Sequence, residues 1–227
     1  MNILYALSRS LYPYLKASIN SLLEHNKVTK IFIFAEDDEL PVEIPCKHEI
    51  INISGQTYFQ HNGPNMRSFF TYIPMMRAVA ADILRCHKVI SLDIDTIICD
   101  SLKPIWDIDL TDKWMAWCPE HLGTYRPFGK TYYNAGVVVY NLAQMRKDKV
   151  PEQAAALLNN NHYIYLEQDV FNQIAVPDRC VDIPVRYNES FCCGYTDAPA
   201  IVHYAGVSDW PTNWTIYRRE YLDRYLK

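Results

Sequence analysis

An α/β fold built on a largely parallel sheet is what three features of this sequence predict. The chain opens as strand, helix, strand. A second helical stretch then leads into an apolar strand ending in two aspartates, and apolar runs of strand length alternate with helical patterns through the second half. In the opening, "NILYAL" suits a strand, "YLKASINSLLEH" puts Leu15, Ile19, Leu22 and Leu23 on one helical face, and "KIFIFA" suits a buried strand. "HEIINI" is a candidate fourth element. After the polar loop "SGQTYFQHNGPN", the stretch "MRSFFTYIPMMRAVAADIL" is expected to be helical apart from an interruption at Pro74. That helix delivers the chain into "KVISLDID". Farther on, "WMAWC" and "YYNAGVVVYNL" predict strands, "PEQAAALLNN" and "EQDVFNQI" predict helices, and "AIVHYAG" is a β-rich run ending in His203.

Asp93 and Asp95, two residues apart at the end of an apolar strand, raise the chemical question. A carboxylate removed from water needs a cation or strong donors. The pair therefore either holds a metal or phosphate group or belongs to a solvated loop. In a parallel α/β sheet the ligand crevice lies beyond the carboxyl ends of the strands, and both aspartates fall at such an end. His203 ends another apolar run and can join two carboxylates on one divalent ion.

Composition bounds the answer. At 227 residues, 49% hydrophobic and 21% charged, the chain is ordinary globular material with a single domain as the default. A net charge of -4 without a basic run argues against nucleic-acid or anionic-membrane binding. The N-terminal residues have no secretory pattern, and no apolar run reaches membrane-spanning length, so a soluble, cytoplasmic protein is expected. The seven cysteines lack zinc-ligand spacing and are expected as reduced, mostly buried thiols.

"SLDIDTIICDSLKPIWDIDL", "YYNAGVVVYNL", "LEQDVFN" and "IVHYAG", in that order, resemble glycosyltransferase family 8, the retaining transferases that include glycogenin-like and lipopolysaccharide galactosyltransferase-like enzymes. The resemblance runs from "ILYALSRSLYPYLKASINSL" through "HYAG". It implies a single-domain GT-A fold with a mixed central sheet. A Rossmann-like nucleotide-binding half over about 1–100 would precede a donor-sugar and acceptor half over about 101–227 with a C-terminal helical tail.

The resemblance also assigns residues. Asp93, Asp95 and His203 would bind manganese, with magnesium as the alternative ion, against the diphosphate of a UDP-sugar, and Gly206 would lie at the donor. Ala6 and Ser8 would contact the nucleoside and Tyr12 would stack on uracil, although a helix-capping aromatic explains Tyr12 as well. Arg77 would reach the donor sugar or its phosphate. Asn134 would bond donor hydroxyls, with Ala135 and Gly136 allowing close backbone approach. Glu167 and Gln168 would stand beside the anomeric carbon as the catalytic pair. The partners implied are a UDP-sugar donor and a glycan or other hydroxyl acceptor.

Two departures from the family pattern stand out. Glu167 occupies a position where aspartate is common, and Asp209 occupies one where a diphosphate-binding lysine is expected, so either Arg9, Arg218 or Arg219 reaches the phosphates instead or the site relies on the metal alone and binds its donor weakly. "SLDIDTII" also resembles the first motif of haloacid-dehalogenase-like phosphatases, but no GDxxxD-like segment follows. A non-catalytic sugar-nucleotide or glycan-binding module on the same fold is a third reading. Loops "CPEHLGTYRPFGK" and "CCGYTD" carry aromatics able to stack on sugars or to pack locally. In the tail, Ile216, Tyr217, Tyr221, Leu222 and Tyr225 form a helical stripe beside Arg218, Arg219 and Arg224, which predicts docking on the domain rather than membrane contact.

Overall fold

The computed structural model describes residues 1–121, 125–205 and 218–225. Gly206, Asp209, Ile216 and Tyr217 lie outside the described residues. The elements in chain order are β1 (Asn2–Ala6), α1 (Tyr12–His25), β2 (Lys30–Ala35), β3 (His48–Asn52), α2 (Ala80–Ile83), β4 (Lys88–Leu92), β5 (Thr96–Ile98), α3 (Lys103–Trp106) and β6 (Met115–Pro119). They continue with β7 (Tyr133–Asn141), α4 (Leu142–Lys147), α5 (Val150–Asn160), α6 (Leu166–Ala175), β8 (Cys180–Asp182), β9 (Ile201–His203) and α7 (Arg219–Tyr225).

A seven-stranded mixed sheet of order β3-β2-β1-β4-β7-β6-β8 forms the centre. Strands β3, β2, β1 and β4 are parallel, as the opening pattern predicts. Strand β7 runs antiparallel to both β4 and β6, which makes the sheet mixed. Alternate side chains serve opposite faces. Ile3 and Tyr5 join an apolar cluster with Leu15, Ile19 and Leu22 of α1, whereas Leu4 joins Val79, Leu158 and Phe171 on the other face. Burial on both faces explains why β2 and β4 are nearly continuous apolar runs.

A second, two-stranded sheet pairs β5 with β9 antiparallel, in the register Thr96↔His203, Ile97↔Val202 and Ile98↔Ile201. Helix α1 lies against it. Ser21 Oγ accepts the Ile98 N–H at 3.0 Å and donates to the Ser18 carbonyl at 2.8 Å. Ser18 in turn bonds the Tyr5 hydroxyl at 2.9 Å and Thr96 Oγ1 at 3.3 Å, tying β1, α1 and β5 together. Tyr221 and Tyr225 of α7 pack on the cluster of Ala17, Ile97, Val202 and Tyr204. Arg224 and Tyr225 both bond Glu24 of α1, the latter at 2.7 Å, so the described part of the tail docks on the domain.

The stretch expected to be one helix around Pro74 is different. Only Pro74–Val79, as a 3-10 turn, and the four residues of α2 are helical. Residues 66–73 form turns, Thr71 has a φ of 62°, and Phe69 is 92% exposed. The apolar spacing before Pro74 therefore does not mark a buried face. Met75 through Val79 are all buried, so packing from every side shapes this short segment in place of an amphipathic stripe. All seven cysteines are free thiols, with Cys118, Cys180 and Cys193 buried and the other four half-buried.

Removing the Ser21 hydroxyl leaves the Ile98 N–H buried without its acceptor. Ser21→Ala is expected to cost about 1–3 kcal/mol of unfolding free energy, read from the urea midpoint at unchanged slope. A midpoint equal to that of the wild type would show that the α1–β5 tether carries no stability.

Candidate functional site

The site assembles at the carboxyl ends of parallel strands β1 and β4. Strand β4 ends at Leu92, and the next N–H, from Asp93, donates to the Gly136 carbonyl of β7 at 2.8 Å. Thr96 Oγ1 then closes a tight turn on the Asp93 carbonyl at 2.7 Å. This turn projects both carboxylates, and the β5–β9 register places His203 opposite Thr96. His203 Nε2 lies 3.6 Å from Asp93 Oδ2 and 3.4 Å from Asp95 Oδ1, and the three prospective ligand atoms fall within 4.8 Å of one another. The two carboxylates are partly open to solvent while the imidazole is buried. This set of carboxylate oxygens and an imidazole nitrogen fits a divalent metal ion.

The electrostatics are those of charges held close together. Burial alone would lower the His203 pKa, but Asp95 and Asp93 outweigh it and raise it to about 9. Burial alone would raise the Asp95 carboxyl, yet His203 holds it below its usual range.

Arg77, buried on the 3-10 turn, bridges Asp93 and Glu167 through its two terminal nitrogens. Burial opposes its charge, but these carboxylates prevail and hold the guanidinium charged. On Glu167 burial is the larger effect and pushes its pKa up despite Arg77. Among the described residues, the buried Arg77 Nε and Glu167 Oε2 have no hydrogen-bond partner, which leaves the pair one donor and one acceptor there. The extra methylene of Glu167, relative to an aspartate, is spent reaching Arg77. Leu166, immediately before it, sits at φ 50°, a strained backbone for a branched residue at the start of α6.

Gln168 is fixed at both ends of its amide. Its Oε1 accepts the Ala135 N–H at 2.7 Å and its Nε2 donates to the Tyr132 hydroxyl at 3.1 Å. The Tyr132 hydroxyl donates to Asp169 at 2.6 Å, and burial followed by Asp169 pushes its pKa up, so it stays protonated. Asn134 is also engaged at both ends. Its Oδ1 accepts from the Gly136 N–H at 2.9 Å and from Asn188 at 3.0 Å, and its Nδ2 donates to Glu120 at 3.3 Å. A cleft lined by Glu120, His121, Arg126, Lys130, Tyr133 and Asp182 opens on this side.

At the end of β1, Ala6 terminates the strand, and Ser8 bonds Ser10 at 3.0 Å. Tyr12 is the first residue of α1. Its ring is buried in the α1 cluster and its hydroxyl donates to Asp37 at 2.9 Å. The same carboxylate receives two bonds from Arg9, at 2.8 and 2.5 Å. Arg218 is paired with Glu189 at 3.0 Å and Arg219 with Asp223 at 3.3 Å, so each arginine suggested as a replacement for lysine at Asp209 has an internal carboxylate partner.

The sequence patterns singled out neither Asn188 and Tyr132 nor Glu120 and Asp169. Asn188, Glu189 and Ser190 are fully buried although all three are polar, and no periodicity announces this. Their backbone lies along β9, with Glu189 bridging Val202 and accepting the His203 N–H at 2.8 Å.

Residues 2–210 match the model of glycosyl transferase family 8. The chain belongs to this family. It is 25% identical over 198 residues to a putative glycosyltransferase of Haemophilus influenzae, a match covering 77% of this chain and 59% of that protein. It is 24% identical over 241 residues to the lipopolysaccharide glucosyltransferase WaaO of Escherichia coli, covering 88% of this chain and 70% of that one. Among solved structures, the galactosyltransferase LgtC in complex with donor and acceptor sugar analogs superposes with a TM-score of 0.75 at 20% identity, covering 100% of this chain and 95% of that chain. GlyE of Streptococcus pneumoniae superposes at 0.74 with 18% identity, covering 100% of this chain and 60% of GlyE. The fold is therefore that of the GT-A glycosyltransferases, and family membership displaces the phosphatase reading of the aspartate pair.

Gly136 explains itself sterically. A Cβ there would lie 2.0 Å from His203 Cε1, so the ring occupies the space that any side chain would need. Gly136→Ala is expected to cost about 1–3 kcal/mol in chemical denaturation through overpacking against His203. Wild-type stability would show that the ring moves aside freely.

The ionised cluster also has a stability signature in the metal-free protein. Folded His203 holds its proton up to about 9, against about 6.5 when unfolded, so its contribution is fully present below 6.5 and is lost as pH rises through 9. Unfolding free energy of the metal-free protein should fall across that window, and His203→Gln should flatten the fall. A wild-type profile level from 6.5 to 9 would contradict the charge arrangement.

Proposed function

We propose that this chain is a metal-dependent, retaining hexosyltransferase that takes glucose or galactose from a UDP-sugar and places it on the hydroxyl of a glycan or another acceptor. The observation that carries this reading is the convergence of Asp93, Asp95 and His203 within 4.8 Å, next to a buried Arg77–Glu167 pair with polar atoms unpartnered among the described residues. Family membership and the superposition on LgtC support it.

In this reading Asp93, Asp95 and His203 hold manganese, with magnesium as the alternative. When bound, the ion supplies positive charge to offset the charge growing on the departing diphosphate. The nucleoside lies along the ends of β1 and β4 by Ala6, Ser8 and Tyr12. Arg77 fixes Asp93 and Glu167 at the donor sugar, where its Nε and Glu167 Oε2 have hydrogen bonds to offer. Asn134 and Ala135 border the sugar from β7.

Gln168 sits where a double displacement would need a nucleophile, but a neutral amide is a poor one. Same-face substitution fits better. The acceptor oxygen bonds to the anomeric carbon as the bond to the UDP oxygen breaks, the electron pair leaves with UDP, and the acceptor proton passes to the leaving phosphate oxygen. Gln168, locked by Ala135 and Tyr132, orients its carbonyl dipole toward the positive charge of the sugar. The acceptor approaches from the cleft bordered by Glu120, Arg126 and Lys130.

The nucleotide half would span about 1–100 and the sugar-facing half about 101–227. Free thiols fit a reducing, cytoplasmic setting. Among the described residues, no helix is long and apolar enough to cross a membrane.

The test is a panel of nucleotide sugars incubated with manganese. A UDP-hexose should be turned over, excess chelator should abolish turnover, and NMR should show a product of retained anomeric configuration. Full activity in chelator would sink the metal role, and an inverted product would sink the mechanism.

Gln168→Ala should slow turnover by about 10²–10³-fold with UDP affinity changed little, since the loss falls on the transition state. Equal losses in UDP binding and turnover would instead mark Gln168 as a donor-binding residue.

A further inference from the structure

His203 has two ring nitrogens, and only a nitrogen without its proton can bind a metal. Its Nε2 points at Asp93 and Asp95, and its Nδ1 lies 2.7 Å from Asn188 Oδ1. Which nitrogen carries the proton can be deduced from a group that has no choice. The backbone N–H of Gly136 can only donate, so the Asn134 atom that it meets at 2.9 Å is the amide oxygen. The Asn188 atom facing that oxygen at 3.0 Å must therefore be the NH₂ end. The other end of the Asn188 amide, facing His203, is then the oxygen, and Nδ1 must donate to it. In the neutral ring this leaves the lone pair on Nε2, aimed between the carboxylates.

We propose that Asn188 is the positioning residue that presents His203 Nε2, and not Nδ1, to the divalent ion, through an amide chain whose direction is set by the Gly136 N–H. The inference rests on the reading that Asp93, Asp95 and His203 hold such an ion. Asn188 is fully buried, so no water competes for the bond. Its backbone N–H donates to the Val185 carbonyl at 2.8 Å, and the residue after it bridges β9, so the backbone that carries the side chain is held from both sides. Gly136 acts twice, polarising the chain and leaving room for the ring.

The test reads the tautomer and the ion separately. Nitrogen NMR of ¹⁵N-histidine-labelled protein, followed as the pH is raised until the ring is neutral, with His203→Gln to assign the signal, reports which nitrogen is protonated. Manganese alone, titrated without nucleotide and followed by electron paramagnetic resonance, reports affinity. The wild type should show Nδ1 protonated. Asn188→Leu should move the proton wholly or partly to Nε2 and weaken manganese binding by about 10–100-fold. Asn188→Asp keeps an acceptor opposite Nδ1 and should keep the proton there, although it loses the NH₂ that donates to Asn134. A wild-type ring protonated at Nε2, which needs no variant to fold, would overturn the proposal. So would a folded Asn188→Leu with wild-type tautomer and affinity. Wild-type protein with Nδ1 protonated and no manganese binding would uphold the orienting role of Asn188 while removing the metal reading on which its function rests.

Discussion

The short antiparallel pairing of β5 with β9 is the constraint on which the site depends. Asp93 and Asp95 are fixed by the end of β4 and the turn into β5, but His203 is more than a hundred residues away, and it arrives only because Thr96 pairs with it. Such a ladder is too short to be stable alone. It is supported by Ser21 and Ser18 of α1 beneath, by Glu189 bridging Val202 alongside, and by the tyrosines of α7 packed on Ile97 and Val202. Each support comes from a different part of the chain. The site is thus a property of the whole domain, and loosening one support should be felt at the imidazole.

Charge is concentrated on this scaffold in a particular order. Arg77 lies between Asp93 and Glu167, and the buried His203 lies between Asp93 and Asp95. A buried guanidinium between two carboxylates costs heavily in desolvation and returns little net stability. Its persistence, with one donor and one acceptor left over among the described residues, is more intelligible as preorganisation for a polar ligand than as glue. The left-handed Leu166 beside Glu167 fits the same pattern of strain tolerated next to the site.

The amide layer of Gln168, Asn134 and Asn188 is where this architecture differs from a loose cluster of side chains. None of the three is held by a charge alone. Gln168 and Asn134 are anchored on backbone N–H groups of neighbouring residues in β7, and Asn188 is anchored on Asn134. Strand β7, antiparallel to both of its neighbours, thereby dictates which end of each amide faces inward. An amide oriented in this way needs little reorganisation when a ligand or a charge appears beside it.

Much of this was legible in the sequence. The βαβ opening, β4 with its terminal aspartates, β6, β7, α5 and α6 all follow from hydrophobic runs and their periods, because a strand buried on both faces has to be apolar along its length. The ordered motifs around Asp93, Asn134, Gln168 and His203 identified the family, and the stripe of Tyr221 and Tyr225 announced a docked tail. The helix expected around Pro74 failed because periodicity cannot tell an apolar residue in the core from one such as Phe69 that faces solvent. Tertiary structure alone decided that Arg77 joins Asp93 to Glu167, that Tyr12 turns its ring into the core, and that Gly136 is the floor under His203. It alone revealed Asn188, since a buried asparagine has the same letter as an exposed one. Local pattern encodes which faces are apolar, whereas the direction of a hydrogen bond between residues 134, 188 and 203 exists only once long-range strand pairing has brought them into contact.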